Sequence, residues 1–414
     1  MTTFIRADRL IDGTGAAPIE NAVLKIEDGR IAAVIPAGES SALGGADILD
    51  FPGCTILPGL IDTHVHLNLP GDGTILEDAM RETEGVLLAT SAHSALTALR
   101  AGITTVRDLG AAGRTSIDLR RALKLGYGEG ARIVACGQPI TITGGHTWYF
   151  GGESDGVDDL RRKVRELCKL GADFIKVMAS GGGTIGTLSY KPSFTQEELD
   201  VIVEEAHALG RKATAHCLCA EAIDAAIHAG FDQIEHAGFI TDARGNQAFD
   251  PAVAERLARS GIPVTSTLAV GGAVLKTLRA KSELTAAEQA MLTRWVKMHG
   301  DNLAQFRTLR EMGVRFVAGT DAGWRFTAFD HLPLEMALMQ EGGMTALEAI
   351  HAATGFAAEV IDIADEVGTL KAGFAADVIV VEGDPSVDLG ALERLKLVLQ
   401  GGQPRHFGKA ALAA

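Results

Sequence analysis

Six residues carry most of the chemistry this sequence can offer. His64 and His66 stand in His64-Val65-His66, at the end of an apolar run. Residues i and i+2 of a strand share a face, so both imidazoles would point the same way. Imidazole is a ligand for zinc and similar cations. Taken alone, the pair reads equally as surface or core histidines. His216 and His236 each end another apolar run, and Asp321 ends a third, within residues 318–323 (AGTDAG). Other histidines, such as His93, His207, His228 and His351, fall in helical stretches. Histidines confined to strand ends, with an aspartate beside them, point to a metal site. Lys176 sits inside residues 173–178 (DFIKVM). A charged amine is costly to bury there. It could pair with a carboxylate or snorkel to solvent. Alternatively, burial and nearby cations hold it neutral. A neutral amine takes up CO₂ to give a carbamate, whose two oxygens can bridge two metal ions. Asp321 reads either as a helix N-cap or as a member of the metal set.

These residues need strands to aim them. Eight apolar runs qualify: residues 60–66, 103–108, 133–135, 174–178, 212–216, 231–236, 262–267 and 314–320. Helical stretches at 92–100, 158–169, 195–209, 220–229, 251–259 and 302–312 precede most of them. Such alternation implies a parallel sheet. The expectation is an α/β fold, a (β/α)₈ TIM barrel over residues 59–367. A doubly wound open sheet is the alternative, but no glycine-rich fingerprint follows the first strand, so a dinucleotide site is not supported. Both ends of the chain have a different texture. Strands are expected at 24–26 and 30–35, and again at 376–381 and 396–399. Residues 1–58 and 368–414 are therefore expected to build one small β-sandwich domain. Two unrelated terminal arms are the alternative.

Composition narrows the class. The 414 residues carry 38 Lys and Arg against 53 Asp and Glu, a net charge of −15, with no basic cluster in view. Nucleic acid and anionic membranes are poor candidate partners. The five cysteines are odd in number and scattered, which argues against a disulfide framework. Residues 1–10 (MTTFIRADRL) lack the apolar core of a signal peptide. Uncharged apolar stretches such as residues 261–275 fall short of the ~20 apolar residues of a membrane span. The chain reads as cytoplasmic.

The motif set resembles the amidohydrolase superfamily, in its imidazolonepropionase-like and prolidase-like branch. The matching residues are 57–66 (LPGLIDTHVH), Ile175-Lys176, Ala215-His216, Ile234-Glu235-His236, Gly319-Thr320-Asp321 and the tail 367–377 (VGTLKAGFAAD). They run nearly the length of the chain. The resemblance implies a binuclear site, most often of Zn²⁺. His64 and His66 would bind the more buried ion, His216 and His236 the more exposed one. Lys176, carrying a CO₂-derived carbamate, would bridge them, and Asp321 would contact the buried ion. It implies a hydrolase of amide-like C–N bonds. Hydroxide between the metals would attack, and Asp321 would act as general acid and base. Relatives are often multimers, so a homo-oligomer acting on a small-molecule substrate is expected.

Specificity is expected in the loops. His146, in Thr143-Gly144-Gly145-His146, is the candidate for touching the substrate carbonyl or carboxylate, or else for a supporting role. Trp148, Tyr190 and Arg325 are further candidates, Arg325 as a partner for an anionic group. Many prolidase-like relatives carry His or Tyr two residues after the strand-5 histidine. Here that residue is Leu218. The change favours an apolar N-acyl, anilide, ester or carbamate substrate over a simple dipeptide. Dipeptidase action and cyclic amide opening remain the alternatives.

Overall fold

The computed structural model describes residues 2–38 and 47–407. The outermost part of the expected small domain, 408–414, lies outside these. Five strands open the chain: β1 (Thr2–Leu10), β2 (Ile19–Glu20), β3 (Val23–Glu27), β4 (Arg30–Ile35) and β5 (Ile48–Pro58). Three close it: β14 (Val378–Glu382), β15 (Leu395–Gln400) and β16 (Gln403–Phe407). Both ends do meet, in one sheet of order β16-β15-β14-β5-β1-β3-β4, with β2 on β1. The two stacked sheets of a sandwich are not separate in its hydrogen bonding. The reason is β5, whose eleven residues pair with β1 along one edge and with β14 along the other. A register shift between Ala7 and Arg9 bends this ladder. Ile5, Leu24, Ile56, Val378 and Leu399 fill its own buried cluster.

Between the ends lie eight parallel strands in an α/β arrangement. They are β6 (Leu60–Val65), β7 (Ile103–Asp108), β8 (Arg132–Ala135), β9 (Ile175–Val177), β10 (Ala213–His216), β11 (Gln233–Glu235), β12 (Val264–Thr265) and β13 (Phe316–Val317). Each falls within or against an expected run. Six of them are shorter than expected, β7 and β8 being the exceptions, because the last residues of most of these runs turn away towards the cavity. The ladders are two, β6-β7-β8 and β13-β12-β11-β10-β9, rather than one closed ring of eight. Single parallel bridges join the ladders, Val65 to Ala322 and Ile140 to Val177.

Buried polar groups hold the first of these seams. The Asp62 carboxylate accepts from the backbone N–H of His64 (3.2 Å) and of Thr320 (3.0 Å), and from the Thr320 hydroxyl (2.6 Å). Thr63 donates its hydroxyl to the Ala318 carbonyl at 2.8 Å. The Asp321 N–H reaches the His64 carbonyl at 2.8 Å. Burial lifts the Asp62 carboxyl to about 6, against the pull of these donors. The seam thus places His64 and Asp321 side by side.

Helices cover the strands, and they begin where polar residues cap them. Thr195 and Thr285 each form a reciprocal cap with a glutamate three residues on, Glu198 and Glu288. One element was not expected. After β12 the chain leaves the βα rhythm as a hairpin of two helices, Ala269–Arg279 and Ala286–Glu311. Only the end of the second was foreseen, at 302–312. Its first half is largely exposed, so it lacks the apolar stripe that marks a core-facing helix. All five cysteines are free. Among the described residues, no helix is long and apolar enough to cross a membrane.

Asp62→Ala would leave three buried donors unpaired at this seam. An unpaired buried donor costs about 1–3 kcal/mol. Urea denaturation is expected to show a loss of about 3 kcal/mol or more. A loss below about 0.5 kcal/mol, within the range of a surface substitution, would remove Asp62 from this role.

Candidate active site

The C-terminal ends of the strands open into a cavity of about 560 Å³. His64, His66, His146, Lys176, His216, His236 and Asp321 all line it. The imidazoles form a row from His66 through His64, His236 and His216 to His146. Successive ring centroids lie 5.5, 5.1, 4.7 and 4.6 Å apart. Donor atoms of His64, His236 and Asp321 all fall within 4.8 Å of one another. Asp321 Oδ1 is 3.5 Å from His64 Nε2 and 3.4 Å from His66 Nε2.

Each imidazole is held at one nitrogen. His64 Nδ1 is 2.9 Å from Glu235 Oε2, and His66 Nδ1 is 3.2 Å from the Gly110 carbonyl. His236 Nδ1 is 2.8 Å from Thr267 Oγ1, and His146 Nδ1 is 2.8 Å from Thr184 Oγ1. His216 is held at the other nitrogen, Nε2, 3.2 Å from the Gly181 carbonyl. Fixing one nitrogen orients the ring and leaves the other for a ligand.

Electrostatics keep four of these imidazoles neutral, those of His66, His146, His216 and His236. Burial first, then neighbouring imidazoles and Lys176, push His66, His216 and His236 well below the usual histidine range. Burial brings His146 down to about 3. Burial also lowers Lys176 and raises Asp321 from their ordinary values. A neutral imidazole keeps the lone pair that a metal needs.

Two of the candidate ligands have an orphaned polar atom. Lys176 Nζ and Asp321 Oδ1 are buried without a hydrogen-bond partner among the described residues. Buried polar groups in folded proteins are nearly always paired, so two orphans in one cavity mark a place for a further partner. A cation among neutral imidazoles would supply the carboxylate's missing partner. A carbamate on the lysine would give its nitrogen a role at the same ion. The donor set of nitrogens and oxygens suits zinc and its neighbours in the series. The residues present therefore fit a metal.

The backbone is strained at the same places. His236, Thr267 and Asp321 have φ of 69°, 53° and 60°. Non-glycine residues seldom adopt this left-handed region, and they do so mostly where surrounding structure insists. Here the turn swings each side chain from the strand end into the cavity.

Glycines let the parts close up. A Cβ on Gly182 would lie 2.4 Å from His146 Nε2, and one on Gly319 would lie 2.9 Å from the His64 Cβ.

The expected substrate contacts divide. His146, Leu218 and Arg325 line the cavity, with Trp324 beside them. Trp148 does not; its side chain is 43% exposed. It opens a short 3₁₀ turn, Trp148–Phe150, after the left-handed Thr147. That turn sends Phe150 inward instead, where it stacks on His66 at 5.8 Å. Tyr190 also stays out of the lining, and its neighbour Ser189 takes the inward place.

Other residues around the cavity were not singled out from the sequence. Glu235 precedes His236 in the motif and reads as a strand residue, yet it is fully buried. Besides His64 it accepts from the Thr214 hydroxyl at 2.6 Å, and Arg107 lies 3.5 Å away. Burial alone would raise its carboxyl; His64, Lys176 and Arg107 outweigh that and hold it below the usual carboxylate range. An acidic residue inside an apolar strand was the available signal. Met291, Arg294, Trp295 and Met298 also reach the cavity, from the unforeseen helix.

Comparison with known proteins fits this geometry. The amidohydrolase family model matches residues 55–406. The chain belongs to the amidohydrolase family. Like the enzymes it resembles, it is a hydrolase acting on carbon–nitrogen bonds. It is 31% identical to an ochratoxinase of Aspergillus niger over 440 aligned positions, 96% of this chain and 84% of the relative. It is 25% identical to an imidazolonepropionase of Stenotrophomonas maltophilia, covering 92% of this chain and 90% of that one. Among solved structures, a Xaa-Pro dipeptidase with bound methionine in its active site superposes with a TM-score of 0.84 at 29% identity. That match covers 99% of this chain and 100% of the other.

Two substitutions test the arrangement. Glu235→Ala removes the group that orients His64, and loss of such a partner typically costs about 10–100-fold in metal affinity. Competition with a chelator is expected to show a weakening of that order, and unchanged affinity would discount the contact. Gly182→Ala forces His146 to move while leaving the other four histidines alone. Catalytic efficiency should fall by about tenfold or more, as expected for a misplaced group at a reacting centre, with metal content unchanged.

Proposed function

We propose that this amidohydrolase is a binuclear metal enzyme that cleaves an amide-like bond next to a bulky apolar or aromatic group. The observation that carries this reading is the pair of orphaned atoms, Lys176 Nζ and Asp321 Oδ1, among buried imidazoles. His64, His66 and Asp321 would hold one ion, His216 and His236 the other, and a carbamate on Lys176 would join them. The carbamate forms when the amine lone pair bonds to the carbon of CO₂ and one proton leaves the nitrogen. Burial supports it, because a neutral amine has the lone pair this step needs. The central strands are read as one (β/α)₈ barrel over 59–367, the single bridges completing its ring, with 1–58 and 368–414 as the attached small domain.

When bound, two such cations lower the pKa of water between them and polarise the scissile carbonyl. The chain's own residues supply the rest. Asp321 has an unpartnered oxygen facing the His64 and His66 nitrogens, where it can take a proton from attacking water. It then returns that proton to the leaving nitrogen. His146, at the far end of the row, is fixed by Thr184 and lies 5.5 Å from the Trp324 ring, a position suited to a substrate carbonyl.

The walls indicate the substrate. Leu218, Met291, Trp295, Met298 and Trp324 supply apolar and aromatic surface. Arg294 and Arg325 add two guanidinium groups, and Arg325 lies over the Trp295 ring at 5.5 Å. An amide joining an aromatic acyl or amine group to a part bearing a carboxylate fits both features. Likeness to an ochratoxinase supports this reading. The two arginines and the likeness to a Xaa-Pro dipeptidase support release of a C-terminal amino acid as the second reading. The likeness to an imidazolonepropionase keeps cyclic amides among the substrates to be tested.

The test combines elemental analysis with a hydrolysis screen of N-acyl amino acids, anilides, carbamates, dipeptides and cyclic amides. The wild-type chain is expected to hold about two metals. Lys176→Ala is expected to retain at most about one and to lose about 10³-fold or more in turnover, the scale of losing a catalytic group. Two retained metals with normal turnover would refute the bridging role.

A further inference from the structure

A second cavity, of about 360 Å³, lies at the opposite ends of the strands. Its wall comes from the start of β8, from residues just before β9 and β10, and from residues 360–363. Arg107 reaches it from inside β7. Five cationic side chains, Arg107, Arg120, Arg132, Arg211 and Lys212, share the lining with two carboxylates, Asp173 and Asp362.

Most of this charge is already matched. Arg120 pairs with Asp173. Lys212 pairs with Asp362 at 2.6 Å and donates to the Val360 carbonyl at 3.1 Å. Arg132 pairs with Asp377 at 2.6 Å, behind the wall. Arg107 donates one terminal nitrogen to Gln233 at 2.5 Å and lies 3.5 Å from Glu235. Two donors remain. The Nε atoms of Arg107 and Arg211 are both buried and have no hydrogen-bond partner among the described residues. The Arg107 side chain is 3% exposed. Arg211 meets the Cys168 thiol and forms no ion pair among the described residues.

A cavity rimmed by ion pairs, with two unspent guanidinium N–H groups, lacks an acceptor with oxygen lone pairs. We propose that it binds a small oxyanion, a phosphate or a carboxylate, between Arg107 and Arg211. Guanidinium groups suit such oxygens in charge and in geometry. The site is separate from the mouth that holds the histidines, because its lining shares no residue with that cavity. It does not depend on which amide the mouth accepts.

The experiment is calorimetric titration of the metal-loaded chain with inorganic phosphate and, separately, with malonate, at matched ionic strength. Saturable binding of one anion per chain is expected, and whichever probe binds more tightly names the ligand class. Arg211→Met should weaken binding by about tenfold or more, the scale of a lost charge-assisted hydrogen bond, and leave hydrolysis unchanged. Arg294→Met, in the mouth, should leave binding intact. Binding that survives Arg211→Met places the anion at the metals or at the mouth arginines and overturns the proposal, as does no saturable binding of either probe. Should Arg211→Met not fold, a crystal of the wild-type chain soaked in the tighter probe decides. Density between Arg107 and Arg211 supports the site, and its absence there refutes it.

Discussion

The buried carboxylate of Glu235 is the point on which the middle of the molecule turns. A charge with no access to water survives only if partners replace the water. Glu235 finds them on three other strands: His64 of β6, Thr214 of β10 and Arg107 of β7. The same carboxylate therefore ties both ladders together and sets the face that His64 presents. Arg107 then carries the contact on to Gln233 and to the ring of Phe174, 4.0 Å away, near the second cavity. Site and floor share one network, so neither can shift without disturbing the other.

Around that centre, the protein places its costs where they serve the site. The strands stop early, and turns with left-handed residues finish the work at His236, Thr267 and Asp321. Glu335 pins one of these turns from outside. It accepts from the Ala269 N–H at 2.6 Å and from the Ser266 hydroxyl at 3.1 Å, on either side of Thr267. Burial lifts its carboxyl to about 8. Thr267 in turn holds His236. Left-handed backbone at His236, Thr267 and Asp321 and the orphaned Lys176 and Asp321 atoms lie about the same cavity. Such features persist only where surrounding structure over-determines them.

The substrate side follows a different logic. The row of histidines is built on strands, but the cavity is closed by a helical hairpin that belongs to no βα unit. Met291, Arg294, Trp295 and Met298 come from a helix whose outer face meets solvent. The histidine row and this part of the cavity wall thus rest on separate elements. Leu218, at the wall, fits the apolar character that the hairpin supplies.

Sequence alone determined the strand positions and the inward residues, because burial leaves a plain mark. An apolar run that ends in His, Lys or Asp places a costly polar group at the edge of the core, where only a shared polar site can satisfy it. All six such residues accordingly line one cavity, with His146 beside them. Sequence also led to the expectation that the two chain ends share one small β domain, and their strands do meet in one sheet. Tertiary structure decided the rest. Whether strands form one ring or two ladders depends on single bridges such as Val65 to Ala322, which no local pattern encodes. A sandwich gave way to one sheet because β5 is long enough to serve two partners. Trp148 turned outward and Phe150 inward because Thr147 takes a left-handed φ, a choice set by neighbours distant in sequence. The partners of Glu235 and Arg107, and the inward turn of the hairpin residues, were not legible for the same reason. Their roles consist of contacts between strands or helices far apart in the chain, and local periodicity carries no record of such contacts.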